Sequence, residues 1–493
     1  LQVSVGNSAY TVAEDTRLTI DIPAAISIRT EAPGCSVAGT RVTCELGDLP
    51  EPEPNSGVSR NTVIALEIVA PEGSDVRFDA TAEAFSTAGE ETPANNRRTM
   101  SFRNYRTFYV TNTSDDGSGS LRQAIHSANA SCDADPCLIA FRIENAGPFA
   151  SIQPGTPLPV LTAKNILLDG QTQHRYTNRT SELPRPLIEL RGSRLTEGEG
   201  LVITTPCSLR VRGLAVNGFP GHALRISGRS EQCAAVFDSR VIEHNYLGTD
   251  VTGRIAVPNL RGIYMDGHAN PRIADNVISG NTRAGIFLAW GPHNVITRNV
   301  IGLDATGTAA LGNGASGIYV SAEAEGTDVF DNHVAFNGDA GVSVARNLRY
   351  VNVYRNAIHA NRQLAIDYGL DGPTLDAPIP AVDVTFARYD AASNTTTIAV
   401  SRPLSNTSVD IYANDAPDPG GYGEAQYYLG TARHNGATQR YELVYPGDLR
   451  GKWVAAQAIQ IIITTFSTNP RAEAWGPYSN TTSSELGRAV EVR

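Results

Sequence analysis

Lysine is almost missing from this chain: Lys164 and Lys452 are the only two in 493 residues, so arginine carries 38 of the 40 basic charges. Charge of either sign is thin, at 18% of residues against roughly 25% in an average domain. That scarcity argues against coiled coils and helix bundles. The balance of what charge there is, −11, excludes a general nucleic-acid binder, which needs a basic face. Long apolar runs are also absent. The best, 453–463, is short and broken by Gln457 and Gln460, well under the ~20 residues of a membrane span. There is no CxxC, GxSxG, P-loop, dinucleotide fingerprint or HExxH, which removes the commonest metal, hydrolase and nucleotide signatures.

What the chain does have is turn formers. It holds 45 Gly, 28 Pro and 32 Asn, with 41% hydrophobic residues, too many for a disordered chain. The length calls for two to four domains. It begins at Leu1, as a processed or excised piece would. Six cysteines fall in three local pairs, Cys35/Cys44, Cys132/Cys137 and Cys207/Cys233. Six thiols allow 15 connectivities, so these pairs are an expectation from proximity. An even count in separate loops favours disulfides and an oxidising compartment; six buried free thiols are the alternative.

Three regions follow from patterning. Residues 1–100 alternate as short strands between Pro/Gly/Ser turns, which predicts a β-sandwich. Residues 101–380 repeat. Strand starts align at Gly262, Gly285, Gly317, Gly341 and Ala365, spaced 23, 32, 24 and 24; a second strand centres on Asn245, Asn276, Asn299, Asn332 and Asn356, spaced 31, 23, 33 and 24. A period of 20–30 with short β-branched strands and no helix between them reads as a β-helix. Coils stack ~4.8 Å apart, so equivalent asparagines can form a buried ladder. The amphipathic segment 120–130 (SLRQAIHSANA), with Leu121, Ala124, Ile125 and Ala128 on one face, is read as a helix covering the open N-terminal end. Residues 381–493 return to alternating strands and predict a second β-sandwich. The fold class is thus all-β, a parallel β-helix flanked by two sandwiches.

Residue motifs support that layout. The segment 34–47 (GCSVAGTRVTCELG) and Pro93-Ala94-Asn95-Asn96 resemble the Ig-like "domain of unknown function 11" modules of bacterial surface proteins, which implies a spacer or display role. The stretch 110–130 (VTNTSDDGSGSLRQAIHSANA), Leu168-Asp169-Gly170-Gln171-Thr172-Gln173, the loops 248–253 (GTDVTG) and 302–307 (GLDATG), Val277-Ile278-Ser279-Gly280-Asn281 and Leu364-Ala365-Ile366-Asp367 resemble the right-handed parallel β-helix proteins of the pectate-lyase-like superfamily. That likeness spans about 270 residues and implies the fold and a bacterial, secreted or cell-surface setting. It does not choose an activity, because this fold serves lyases, hydrolases, epimerases, adhesins and structural proteins. The C-terminal region resembles the small sandwich that often follows such helices, as a cap or a carbohydrate-binding module.

Alternation places Ile263/Met265, Ile286/Leu288, Ile318/Val320 and Val342/Val344 inward. The outward column is then Arg225, Tyr264, Phe287, Tyr319, Ser343 and Asp367. Its aromatics form a stripe on which sugar rings can stack, or against which a domain or subunit can pack. Asp266, His268, Trp290, His293, Glu323 and Glu325 leave the same coils at one corner. Asp266 and Glu323 are candidate acids for glycoside hydrolysis, which uses a carboxylic acid and a carboxylate ~6.5–9.5 Å apart in inverting enzymes. His268 is grouped with them, and Trp290, His293 and Arg225 with substrate binding; a solvated turn is the bland alternative. No tight spacing marks a metal centre among His268, His293 and their neighbouring acids. Column His244, Asp275, Arg298, Asp331, Arg355 alternates in sign after the histidine and reads as a charge ladder, with His244–Asp275 as an oriented base in the other reading. Asp250 and Asp304 sit in equivalent loops and either form Asx turns or hold Ca²⁺.

Two function classes follow. One is a polysaccharide- or cell-surface-glycan-engaging protein, as a glycoside hydrolase. The other is a non-catalytic adhesin or self-associating filament protein of the cell surface. A polysaccharide lyase is a further alternative, weakened because lysine is missing from the coils and Arg272, Arg283 or Arg298 would have to serve as base.

Overall fold

The computed structural model describes residues 2–6, 13–21, 27–29, 34–49, 61–65, 67–69, 77–85, 97–103, 106–132, 137–145, 147–204, 207–228, 240–267, 271–346, 348, 350–370, 372, 379–401, 403, 407–417, 421–461 and 481–493. Two compact units divide the chain, Leu1–Thr107 and Phe108–Arg493.

The first unit is built from antiparallel sheets. Its largest runs in the order Cys35–Ala38, Arg41–Leu49, Ala13–Asp21, Arg77–Phe85, Arg97–Arg103. Leu18, Ile20, Val42 and Cys44 are fully buried on one side of it. A disulfide joins Cys35 to Cys44, which face each other across paired strands.

The second unit is a right-handed parallel β-helix with three sheets of nine, eight and seven strands. The first sheet ends on Asn352–Tyr354, the second on Ala357–His359 and the third on Ile366–Tyr368. Inward residues of the third sheet are those alternation predicts: Ile263, Met265, Ile286, Leu288, Ile318, Val320, Val342 and Val344 are each 0% exposed. Fully burying one such side chain is worth about 1.5–3 kcal/mol, so stacking coils supplies the driving force.

Polar groups inside the stack are satisfied by two asparagine ladders. The predicted one runs Asn245, Asn276, Asn299, Asn332, Asn356, each amide donating to the next at 2.9–3.1 Å. A second, not foreseen as a ladder, runs Asn259, Asn281, Asn313, Asn337, Asn361 at similar lengths. Before each asparagine of the first ladder stands a residue with left-handed backbone: His244, Asp275, Arg298, Asp331 and Arg355, with φ from 49° to 58°. That backbone turns the chain from the first sheet into the second and sends the charged side chains outward. Arg298 binds Asp275 through two bonds of 2.8 and 2.6 Å and Arg355 lies 3.5 Å from Asp331. The charge ladder is therefore formed, and Asp275 is committed to Arg298.

Both ends of the stack are covered. Helix Leu121–Ser131 is capped by Ser120, whose hydroxyl accepts from the Gln123 amide at 3.2 Å, and buries Leu121, Ala124, Ile125 and Ala128. A Cys132–Cys137 disulfide ties its end to the strand Cys137–Phe141. At the other end the expected second sandwich is instead one eight-stranded antiparallel sheet, curled until the Tyr389 amide bonds the Arg493 carbonyl at 2.8 Å. Curling encloses Ile398, Ile411, Val454 and Ala456. This half-barrel supplies partners to the last coil's exposed backbone. The amides of Val353, Arg355 and Tyr368 donate to Ser483, Tyr412 and Glu485, and Ile358 exchanges two backbone bonds with Ala425. Such contacts blunt the open edge of a β-helix.

Cys207 is also disulfide-bonded; its expected partner Cys233 lies outside the described residues. Asp250 and Asp304 take the Asx-turn arrangement of the two alternatives. Each carboxylate is filled by its own loop: Asp250 accepts from Thr252, Arg254 and Ile255, and Asp304 from Thr306, Thr308 and Ala309. Burial opposes ionisation of Asp304, but those bonds outweigh it and hold its carboxyl below the usual range. These are Asx-type loop caps, and the two loops touch through the Ala305 amide and Gly253 carbonyl, 2.8 Å apart.

Candidate functional site

The third sheet brings Arg225, Tyr264, Phe287, Tyr319, Ser343 and Asp367 into one outward column, in the register expected. Its aromatic part is not a flat platform. Ring centroids are 5.6 Å apart for Tyr264–Phe287 and 4.6 Å for Phe287–Tyr319, with planes within 19° and 1° of parallel. Parallel rings so close lie face over face, since coplanar ones would interpenetrate. Strand spacing forces this: successive coils leave too little room for rings to lie flat. The stack therefore presents edges, and its faces are spent on each other. His222 extends it by one ring, 4.5 Å from Tyr264. Toward the C-terminal end the column sinks, and Ser343 and Asp367 are buried.

Next to the stack, five polar side chains converge. Arg225 donates to Asp266 at 2.7 Å and lies 3.6 Å from Glu199. Asp266 and Glu199 thus share one guanidinium. His222 Nε2 is 4.0 Å from Glu199, too far for a hydrogen bond. Arg261 sits over Phe287 at 4.5 Å and over Tyr264 at 5.6 Å. This cluster is unusual in its unmet hydrogen-bond capacity. Glu199 Oε2, Asp266 Oδ1, His222 Nδ1, Arg225 Nε and Arg261 Nε are all buried and have no partner among the described residues. Native interiors rarely leave such atoms unpaired, and five in one cluster mark a place shaped for something else.

Burial pushes the Glu199 carboxyl up, aided by the Asp266 charge and opposed by Arg225. Burial likewise drives His222 down to about 4, with Arg261 and Arg225 adding to it. A histidine whose folded pKa lies below its unfolded value near 6.5 leaves the folded state with fewer protons. Stability is then intact above pH 6.5 and falls as pH drops toward 4. The expected loss from His222 is about 2–3 kcal/mol. Urea unfolding at pH 7 and pH 4.5 measures it, and His222→Gln should remove that part of the acid sensitivity. An unchanged slope in the variant would mean the ring titrates normally.

The two sequence-predicted acids leave different coils. Asp266 turns to Arg225, one coil toward the N-terminal end. Glu323 is exposed on a turn level with Gly291, whose amide bonds its carbonyl at 3.1 Å. The structure describes no contact between them. His268 lies outside the described residues. Trp290 is half-buried in register with Asp266. His293 is half-buried, pushed down by burial, and packs so closely that a Cβ on Gly326 would come within 2.5 Å of its Nδ1. Arg225, expected to bind substrate, bridges the two acids.

Glu199, His222 and Arg261 are missing from the sequence prediction. They hold one repeat position, immediately before Gly200, Ala223 and Gly262. Aligning strand starts two coils further back would have exposed a column of Glu, His and Arg where later coils carry Ala284, Ser316 and Ala340.

A family described as periplasmic copper-binding protein (NosD) matches residues 241–371. Among solved structures, the A-module of the mannuronan C-5 epimerase AlgE4 of Azotobacter vinelandii is 14% identical over 52% of this chain and 67% of that one, with a TM-score of 0.35. The Dettilon tailspike protein is 11% identical over 72% of this chain and 94% of that one, with a TM-score of 0.22. No curated protein matches the chain. No helix among the described residues is long and apolar enough to cross a membrane.

Proposed function

We propose that this protein acts outside the cytoplasm on an extended polysaccharide laid along the third sheet, and hydrolyses it at the Glu199–Asp266 pair. The observation that carries this is one guanidinium bridging two carboxylates that each keep a buried oxygen without a partner among the described residues. Glycosidases work with two carboxyl groups about 5–9.5 Å apart, and here one guanidinium lies between two. Burial favours the protonated form of Glu199, suiting it to protonate the leaving oxygen. Asp266 takes a proton from water as the water oxygen attacks the anomeric carbon and the glycosidic C–O bond breaks; Glu199 gives its proton to the departing sugar oxygen. Arg225 holds both carboxyls in place. Edges of Tyr264, Phe287 and Tyr319 line the path of the chain. Disulfides at Cys35–Cys44 and Cys132–Cys137 fit a periplasmic or extracellular setting.

The test is a panel of plant, algal and bacterial polysaccharides scored for new reducing ends and for unsaturated products absorbing in the ultraviolet. Reducing ends alone are expected. Unsaturated products would replace hydrolysis by elimination, and silence in both assays from folded protein would leave a binding or structural protein.

A second reading rests on another place. His333 Nε2 and His359 Nε2 are 2.9 Å apart, inside the stretch that matches the copper-binding family. Burial drives His359 to about 4, and His333 down as well, so both rings stay neutral and able to ligate. Imidazole nitrogens suit copper, although no group of three metal-ligating residues forms among the described residues. Under this reading, Cu²⁺ added at one equivalent binds with nitrogen hyperfine structure in its electron paramagnetic resonance spectrum. His359→Ala should abolish that signal; an unchanged spectrum rules the pair out.

A further inference from the structure

The arginines around the aromatic stack are not equivalent. Arg225 is neutralised by Asp266, 2.7 Å away, with Glu199 at 3.6 Å. Arg261, one coil on, is half-buried, yet no ion pair or side-chain hydrogen bond to it is present among the described residues, and its Nε is buried and unpartnered. Burial and the nearby Arg283 both work against its charge. Arg283 itself is exposed and follows on the next coil, its amide bonded to the carbonyl of Leu260 at 2.8 Å. Two adjacent cations with no counter-ion among the described residues are costly, and more so when one is partly desolvated. They are also unexpected in a chain of net charge −11, which has acids to spare.

We propose that Arg261 and Arg283 form an anion cradle, and that the polysaccharide engaged by the third sheet carries carboxylate or sulfate groups that this cradle holds. This rests on the reading of that sheet as a glycan-binding face. The Arg261 guanidinium carbon lies 4.5 Å from the Phe287 centroid, and with no hydrogen bond from that side chain among the described residues its N–H donors remain for a ligand; carboxylates and sulfates meet such donors through paired bonds. The cradle adjoins the Glu199–Asp266 pair, because Arg261 shares Tyr264 with Arg225 and His222. An anionic sugar seated there sets which glycosidic bond faces the acids. The protein's overall negative charge repels polyanions at long range, so any polyanion binding reports a local site.

Affinity electrophoresis through gels containing polygalacturonate, dextran sulfate or neutral dextran tests this with the full chain. Retardation by polygalacturonate indicates a carboxylate ligand and by dextran sulfate a sulfate ligand; dextran should give none. Arg261→Gln and Arg283→Gln are each expected to weaken retardation about tenfold, as loss of a charge-assisted bond does, and the double variant to abolish it. Because Arg283 is exposed, Arg283→Gln leaves folding intact and keeps the test decisive. No retardation by either polyanion, equal retardation by dextran, or an unaffected double variant overturns the cradle. Polyanion binding that depends on both arginines, without cleavage, supports the cradle while sinking hydrolysis. Cleavage of a neutral glycan by the double variant does the reverse.

Discussion

Glu199→Gln is expected to lower polysaccharide cleavage by at least about 100-fold, the usual contribution of a general acid, with little change in the unfolding midpoint. Glutamine keeps the shape and can still meet Arg225 through its carbonyl oxygen, but it has no proton to give the leaving oxygen. The loss should shrink for an aryl glycoside, whose leaving group departs without protonation, and that dependence separates an acid from a residue that only positions. Raising pH should switch off the wild type as Glu199 ionises. That alkaline limb shifts up from where an ordinary glutamate would put it, because burial raises the carboxyl; in the variant the limb disappears. Asp266→Asn should cost as much, without rescue by a better leaving group, since it removes activation of water instead. Glu323→Gln is the control. Its side chain is exposed and should leave activity within about twofold. If Glu199→Gln retains a tenth of the activity or more, the acid lies elsewhere.

The difference between those acids shows where sequence reading stops. Repeat spacing locates the coils because the fold imposes it: stacked strands need inward Ile, Val and Leu at every second position, and a turn into the second sheet needs the same asparagine each time. Hence Tyr264, Phe287 and Tyr319 fall on one line in sequence and in space. Partner choice within a corner is not periodic. Asp266 has neighbours on both sides of its coil, and only the position of Arg225 decides which way it turns. A slip between Met265 and Asp266 in the pairing with the next strand further breaks the extrapolation toward Glu323. Ring orientation was illegible for another reason: the column predicts three rings in a row, whereas the gap between strands decides that they stand on edge. The half-barrel escaped because alternation reads the faces of strands and says nothing of whether a sheet splits or curls.

Asn299→Ala should destabilise the second unit by about 3–5 kcal/mol, among the larger single-residue effects in proteins. Asn299 is 1% exposed. Its Oδ1 accepts from the Asn276 backbone amide and side chain, at 3.0 and 2.9 Å. Its Nδ2 donates to Ile273, Thr297 and Asn332 at 2.9–3.1 Å. Alanine leaves the Asn276 amide and the Ile273 carbonyl buried without those partners, and each such group costs about 1–3 kcal/mol. The rung lies mid-stack, with coils on both sides that have no other way to satisfy these groups. Because each coil contacts only its neighbours, weakening one interface in a solenoid lets the array split there, and unfolding should lose cooperativity as well as midpoint. Asn299→Asp should be worse at neutral pH, since its charge would face the Ile273 and Thr297 carbonyls, and should partly recover as acid protonates it. Arg298→Ala, one residue earlier, removes a partly exposed ion pair with Asp275 and should cost under about 1 kcal/mol. Urea unfolding of the three variants reads the contrast directly. A cost for Asn299→Ala no greater than for Arg298→Ala would mean that apolar stacking alone holds the coils and the ladder merely fills its space.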